Sequence, residues 1–228
     1  MSQMIFSDEL HRGWIPPAIA APFICIVILV VSMLPGDLWL AHFGFTEPMG
    51  PPRGPLGFFL MLVSFIALGL ATAGWVRWVE KRSLASIGLG GEGGLCKFLT
   101  GLAVGIAMMG AIVLAIALSG GYRVADLAPA FASPAAIGWI ALLLAGFVVQ
   151  ASVEELVFRG WLFSAVMRRW NMTAAFLLSS AAFTFVHLSP DATPLPLLMT
   201  FIFAIFACAW VRHSNSVWGV MGWHVGWN

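Results

Sequence analysis

The sequence predicts an all-α, polytopic membrane protein, a helical bundle of about seven transmembrane segments with a long, motif-bearing fourth helix. Three observations lead there. The chain is 61% hydrophobic and 9% charged, whereas soluble domains carry roughly 25% charged residues. Apolar runs recur at close to the ~20 residues that a spanning helix needs. The basic residues also segregate: with a cytoplasmic N-terminus, Arg12, Arg77, Lys81, Arg82, Lys97, Arg168, Arg169 and Arg212 all fall on the cytoplasmic side, and Arg53 and Arg123 fall outside. That asymmetry is the positive-inside pattern, and alternating helices reproduce it without a special assumption.

The segments follow from the apolar runs and their punctuation. The first is expected from Trp14 to Leu34, stopped by Pro35-Gly36. It reads as a retained helix and not as a cleaved signal, because Arg12 is its only base and Pro16, Pro17 and Pro22 interrupt it. A Pro/Gly-rich loop, Glu47 to Pro55, leads to the second helix, Leu56 to Val76. The stretch Ser83 to Leu89 with the glycines that follow is too short and broken to span, so it reads as an interfacial loop. The third helix is expected from Phe98 to Leu118, the fifth from Met172 to Leu188 closed by Pro190, and the sixth from Leu195 to Val211.

The fourth and seventh segments do not have ordinary lengths. The fourth, Ala135 to Met167, would be ~50 Å long at 1.5 Å per residue, against a hydrocarbon core of ~30 Å. It must tilt, project, or break, with Gly138 and Gly146 as candidate breaks. The seventh begins near Val217 and, at about 12 residues, cannot span alone; either the chain ends within the membrane or the sequence is incomplete. The domain organisation that results is one integrated membrane domain: residues 1–97 as N-terminal helices with the cytoplasmic interfacial loop, and 98–228 as the core that holds the motifs.

Composition excludes several classes. The net charge of +1 without a basic tail gives no footing for nucleic acid. Cys25, Cys96 and Cys208 are too scattered for a disulfide framework or a cysteine metal site. There is no phosphate-binding loop, no dinucleotide fingerprint, no H-E-x-x-H and no G-x-S-x-G.

Ionisable groups inside an apolar helix are costly and mark functional sites. Glu154, Glu155 and Arg159 lie in the fourth segment. Glu155 and Arg159 are one helical turn apart and read as an internal ion pair. Glu154, rotated by about 100° from Glu155, is left free for chemistry. If the fourth and fifth helices form an antiparallel hairpin turning near Trp170-Asn171, Glu154 and His187 reach equal depth, each about sixteen residues from the turn. They are then either a coupled general acid–base pair or an interhelical hydrogen bond. Glu154 would sit ~24 Å from that turn. His224 and Asn228, again one turn apart, are either donors to a developing oxyanion or interfacial residues among Trp218, Trp223 and Trp227. Their shallower depth requires tilt to reach Glu154. Phe183 shares a face with His187. His11, His42 and His213 lie at segment ends and read as interfacial.

Three motifs thus stand in order: Glu154-Glu155-x-x-x-Arg159, Phe183-x-x-x-His187 and His224-x-x-x-Asn228. Together they resemble the CPBP family of intramembrane proteases, also called the ABI or type II CAAX prenyl protease family. The resemblance covers roughly Ala135 to the end, and Lys81 to Leu89 is similar to the region preceding the family's core. It implies a helical membrane fold with a cavity open toward the cytoplasm, and an endopeptidase that hydrolyses a peptide bond near the C-terminus of a membrane-associated or lipidated substrate. By position it implies Glu154 as general base, His187 as its water-orienting partner, His224 and Asn228 as the oxyanion-stabilising pair, and Glu155, Arg159 and Phe183 as support. A metal-free, glutamate-type mechanism without a cofactor is favoured. A zinc version would use Glu154, His187 and His224, but Asn228 is a poor zinc ligand and a good oxyanion donor. The location implied is integral, multi-pass, and the inner membrane in a bacterium. Two other classes compete. A proton-coupled transporter would also use intramembrane Glu, His and Arg, but it calls for paired broken helices and a repeat, which the sequence lacks. A non-catalytic membrane scaffold would keep the fold alone.

Overall fold

The computed structural model describes residues 6, 12–47, 50–121, 123, 133–189 and 192–228; the expectations for His11 and Pro190 lie outside them. Among the described residues the chain is helical apart from turns and one isolated bridge between Thr46 and Pro52. Seven helices follow in order: α1 Ala20–His42, α2 Gly54–Val79, α3 Gly94–Leu118, α4 Pro134–Arg169, α5 Met172–Val186, α6 Pro194–Ser214 and α7 Trp218–Trp227. Five of them, α1 to α4 and α6, are long and apolar enough to cross a membrane. The chain is therefore an integral membrane protein, and the expected polytopic helical bundle is present.

Two expectations about helix ends are corrected. The first helix does not run from Trp14 to Leu34. It starts at Ala20 and continues through Pro35 and Gly36 to His42. Proline is tolerated inside a membrane helix because neighbouring groups satisfy the carbonyl it frees. At the other end, Gly13 and Trp14 donate their backbone N–H groups to the carbonyls of Glu80 and Val79, both at 3.0 Å. That pairing holds Trp14 off the helix, and Pro16 and Pro17 suit such an extended approach. The second correction concerns α4, which breaks at neither Gly138 nor Gly146. It runs unbroken for 36 residues, and its irregularity is a π-helical segment, Leu156–Leu162, immediately after Glu154 and Glu155. Gly146 is a packing notch: a Cβ there would stand 2.8 Å from Leu62 Cδ1 of α2. The Phe158 carbonyl inside the π-segment accepts a hydrogen bond from Ser179 Oγ of α5 at 2.7 Å, which ties the two helices together.

The short α7 is held by backbone proximity. A Cβ on Gly101 of α3 would lie 1.9 Å from the Gly219 carbonyl oxygen, and one on Gly222 would lie 1.8 Å from that of Phe98. A Cβ on Gly105 would lie 3.0 Å from Gly226 Cα. Small residues that let two backbones touch are the usual device for helix association in lipid, where the hydrophobic effect does not drive it. The loop before α3 fixes the start of α7. Gly88, in a left-handed conformation at φ 93°, offers its carbonyl to the Val217 N–H at 3.1 Å, and the Leu89 carbonyl accepts from Trp218 Nε1 at 3.2 Å. What reads in sequence as an interfacial loop is therefore a clamp on the last helix.

A second buried ion pair joins the N-terminal helices to α4. Arg82 and Glu80, both fully buried, meet at 2.6 Å. Glu80 Oε1 accepts from Trp161 Nε1 at 2.7 Å and Trp75 Nε1 at 3.0 Å, and Arg82 Nη1 donates to Ser164 Oγ at 3.1 Å. Arg169 at the end of α4 donates to the Ile15 carbonyl.

Matched alanine substitutions test the backbone contact. Gly222→Ala is expected to cost about 1–3 kcal/mol through overpacking. Gly138→Ala, where nothing lies within 4 Å, is expected to leave stability unchanged or slightly raised. Thermal unfolding of the two purified variants in the same detergent reads the difference.

Candidate active site

The three motifs come together around His224, on the buried face of α7. Its Nδ1 lies 2.8 Å from Glu155 Oε1, and its Nε2 lies 3.9 Å from Glu154 Oε2. One imidazole thus stands between two neighbouring carboxylates of α4. The residues Glu154 and Glu155 are 7% and 0% exposed, and His224 is 5% exposed. The glycine contact holds α7 against α3. The helices α4 and α7 run antiparallel here, since Asn228, one turn beyond His224, meets Gln150, one turn before Glu154: Asn228 Nδ2 donates to Gln150 Oε1 at 3.0 Å.

The two carboxylates have different surroundings. Glu155 pairs with Arg159 Nη1 at 3.2 Å, both fully buried, in addition to its bond with His224. The Arg159 guanidinium lies over the Phe183 ring, 3.9 Å from its centroid, a cation–π contact that partly replaces the water it lacks. The π-segment keeps Arg159 on the Glu155 side while α4 continues past it. Oε2 of both glutamates is buried without a hydrogen-bond partner; the difference is that Glu155 Oε1 engages His224 and Arg159, whereas Glu154 Oε2 has the long 3.9 Å approach to His224 Nε2.

His187 is placed differently from the expectation. The helix α5 ends at Val186, and His187 is the residue that caps it. Its ring turns back, with Nδ1 2.8 Å from the Phe183 carbonyl oxygen and its plane over Phe183 at 4.4 Å. Among the described residues no hydrogen bond or ion pair joins His187 to Glu154; the partner that Glu154 faces is His224. Equal depth in a straight antiparallel hairpin does not ensure contact, because the helix holding His187 stops one residue short of it. Both histidines do line one cleft of about 230 Å³, with Phe183, Met199, Thr200, Phe203, Trp227 and Asn228. Phe203 lies edge-on to His224 at 4.9 Å and stacks on Trp223 at 4.4 Å. This aromatic wall excludes water and strengthens the electrostatics of the groups behind it.

Three contributors escaped the motif reading. Gln150 was signalled only as a polar residue in an apolar run, one turn from Glu154. Phe203 and Thr200 of α6 carry no sequence signal that separates them from lipid-facing neighbours. His42 and His213 do lie at helix ends, as expected.

Zinc requires ligands converging within ~2.0–2.2 Å of one point. Among the described residues no three His, Cys, Asp or Glu side chains are grouped to hold a metal.

Fold and site together define a class, the polytopic helical membrane proteins with ionisable groups gathered between buried helices. Residues 136–228 match the family model described as type II CAAX prenyl endopeptidase Rce1-like, the family that the three motifs resemble. The match supports a CAAX-type intramembrane protease in general terms. No curated protein and no solved structure matches the chain.

The division between the carboxylates is testable through stability. Arg159→Leu leaves the Glu155 charge buried beside His224 alone and is expected to cost about 3–5 kcal/mol. Glu155→Leu combined with Arg159→Leu is expected to recover part of that loss. Denaturant titration of the purified proteins measures both.

Proposed function

We propose that this protein is an intramembrane endopeptidase that hydrolyses a peptide bond near the C-terminus of a membrane-associated or lipidated substrate. The observation that carries the reading is the buried, unpartnered Glu154 Oε2 beside a histidine that lines an aromatic-walled cleft. A carboxylate without a partner in low dielectric is a strong acceptor for a water proton.

In this reading a water molecule enters the cleft lined by His187 and His224 and reaches Glu154 beside His224. With its Nδ1–H donated to the Phe183 carbonyl, His187 presents Nε2 as an acceptor that orients the water. Glu154 takes the water proton as the oxygen bonds to the scissile carbonyl carbon. The carbonyl oxygen becomes an oxyanion, held by His224 and Asn228. This role needs an N–H on each ring nitrogen of His224, one donated to Glu155 and the other toward the cleft. Collapse of the intermediate breaks the C–N bond, and the proton on Glu154 passes to the leaving amine. Glu155 and Arg159 hold His224 and the helix in place, and Phe183 supports both Arg159 and His187. No step uses a metal. The catalytic unit is residues 98–228, and residues 1–97 brace it through Glu80 and Arg82. The N-terminus is cytoplasmic in this reading, and in a bacterium the membrane is the inner one.

Cleavage of a membrane-tethered peptide reporter tests the proposal. Glu154→Ala and His187→Ala are each expected to abolish turnover, and Asn228→Ala to lower kcat by roughly 10²–10³. Full activity in both Glu154→Ala and His187→Ala would falsify it. The metal question is read separately: treatment with chelator, followed by zinc analysis of the protein, is expected to leave activity unchanged at negligible zinc content. Activity that disappears with chelator and returns with zinc would sink the metal-free mechanism.

A further inference from the structure

We propose that Gln150 is a positioning residue: its hydrogen bond holds the Asn228 amide with its NH₂ end at the reaction cleft. The inference rests on the reading of Asn228 as an oxyanion donor. It starts from an unusual pairing. Gln150 is a neutral polar side chain within the apolar part of α4, and its Oε1 accepts from Asn228 Nδ2 at 3.0 Å. A polar side chain in lipid has to find a partner, and this one has found the residue one turn from His224.

The side chain of Asn228 is not fixed by packing. It borders two separate clefts, the one that holds His187 and His224 and a second of about 370 Å³ between α2 and α4, lined by Phe58, Leu62, Phe65, Phe147 and Gln150. With space on both sides, an asparagine amide can rotate or flip. The bond to Gln150 removes that freedom. In this bond Gln150 Oε1 accepts, and Asn228 offers its NH₂ end. One N–H goes to Gln150, and the second stays on the same nitrogen, where it can serve a developing oxyanion. A flipped amide would present its own oxygen and repel that charge. Gln150 thus does for Asn228 what Glu155 does for His224, and both come from the same stretch of α4.

The test is a kinetic comparison on the full chain in liposomes, using the membrane-tethered reporter. Gln150→Leu is expected to lower kcat by roughly 10- to 100-fold with KM unchanged, the size of a small misplacement of a reacting group. Gln150→Glu keeps an acceptor at the same reach and is expected to stay within about threefold of the parent kcat. In an Asn228→Ala background Gln150→Leu is expected to have no further effect, because the two act as one unit. If Gln150→Leu does not yield folded protein, Gln150→Asn, whose amide falls one methylene short, carries the same expectation. Unchanged kcat in Gln150→Leu, equal losses in the Leu and Glu variants, a loss confined to KM, or additive losses with Asn228→Ala would each overturn the proposal. An active Glu154→Ala enzyme would overturn the protease reading itself; an inactive Glu154→Ala with a fully active Gln150→Leu overturns only the role of Gln150.

Discussion

A carboxylate buried away from water has to be matched by charge or hydrogen bonds, and Glu155 is the residue at which this structure meets that requirement. Arg159 supplies the countercharge from the next turn and His224 the hydrogen bond from another helix. Phe183 covers the guanidinium. Removing one member leaves an uncompensated charge in the bundle, which is far costlier than never having had the pair. The arrangement therefore fixes three helices at one point: α4 through Glu155 and Arg159, α5 through Phe183, and α7 through His224. Glu154 is left over from it, adjacent in sequence but with only the 3.9 Å approach to His224.

The remainder of the bundle holds these helices where that point can form. The helix α7 is short and would be marginal alone, yet it lies with its glycines against those of α3 and with its first turn on the Gly88 and Leu89 carbonyls. At the basic end of α4, Glu80 and Arg82 make a second closed set with Trp75, Trp161 and Ser164. The two ion pairs are built alike: each charge meets its opposite beside aromatic rings or their N–H groups. The first lies within α4 and the second meets α4 at Trp161 and Ser164, and the π-segment contains both Arg159 and Trp161.

Much of the fold was legible because composition and helix length in a bilayer leave few options. The membrane class, the seven segments and the great length of α4 follow from apolar runs alone. The path of α1 through Pro35 did not, since proline is a weaker stop in lipid than in water. The ion pair of Glu155 with Arg159 was readable from spacing within one helix. The contact of Glu154 with His224, in place of His187, was not, because it depends on where α5 ends and how far α7 tilts. Those are settled by glycine contacts and a loop clamp between segments distant in sequence. Gln150 was visible as a polar residue in an apolar helix, but its partner was set by the same tilt.

The central claim is that two adjacent glutamates have been given separate tasks by their surroundings, Glu155 to hold the site together and Glu154 to do its chemistry. Parallel measurement of turnover and unfolding temperature in Glu154→Gln and Glu155→Gln addresses it most directly. Removing the charge from Glu154 should abolish turnover and leave the unfolding temperature near that of the parent, whereas removing it from Glu155 should lower the unfolding temperature by isolating Arg159. The opposite pattern, an active Glu154→Gln or a Glu155→Gln as stable as the parent, would contradict the account.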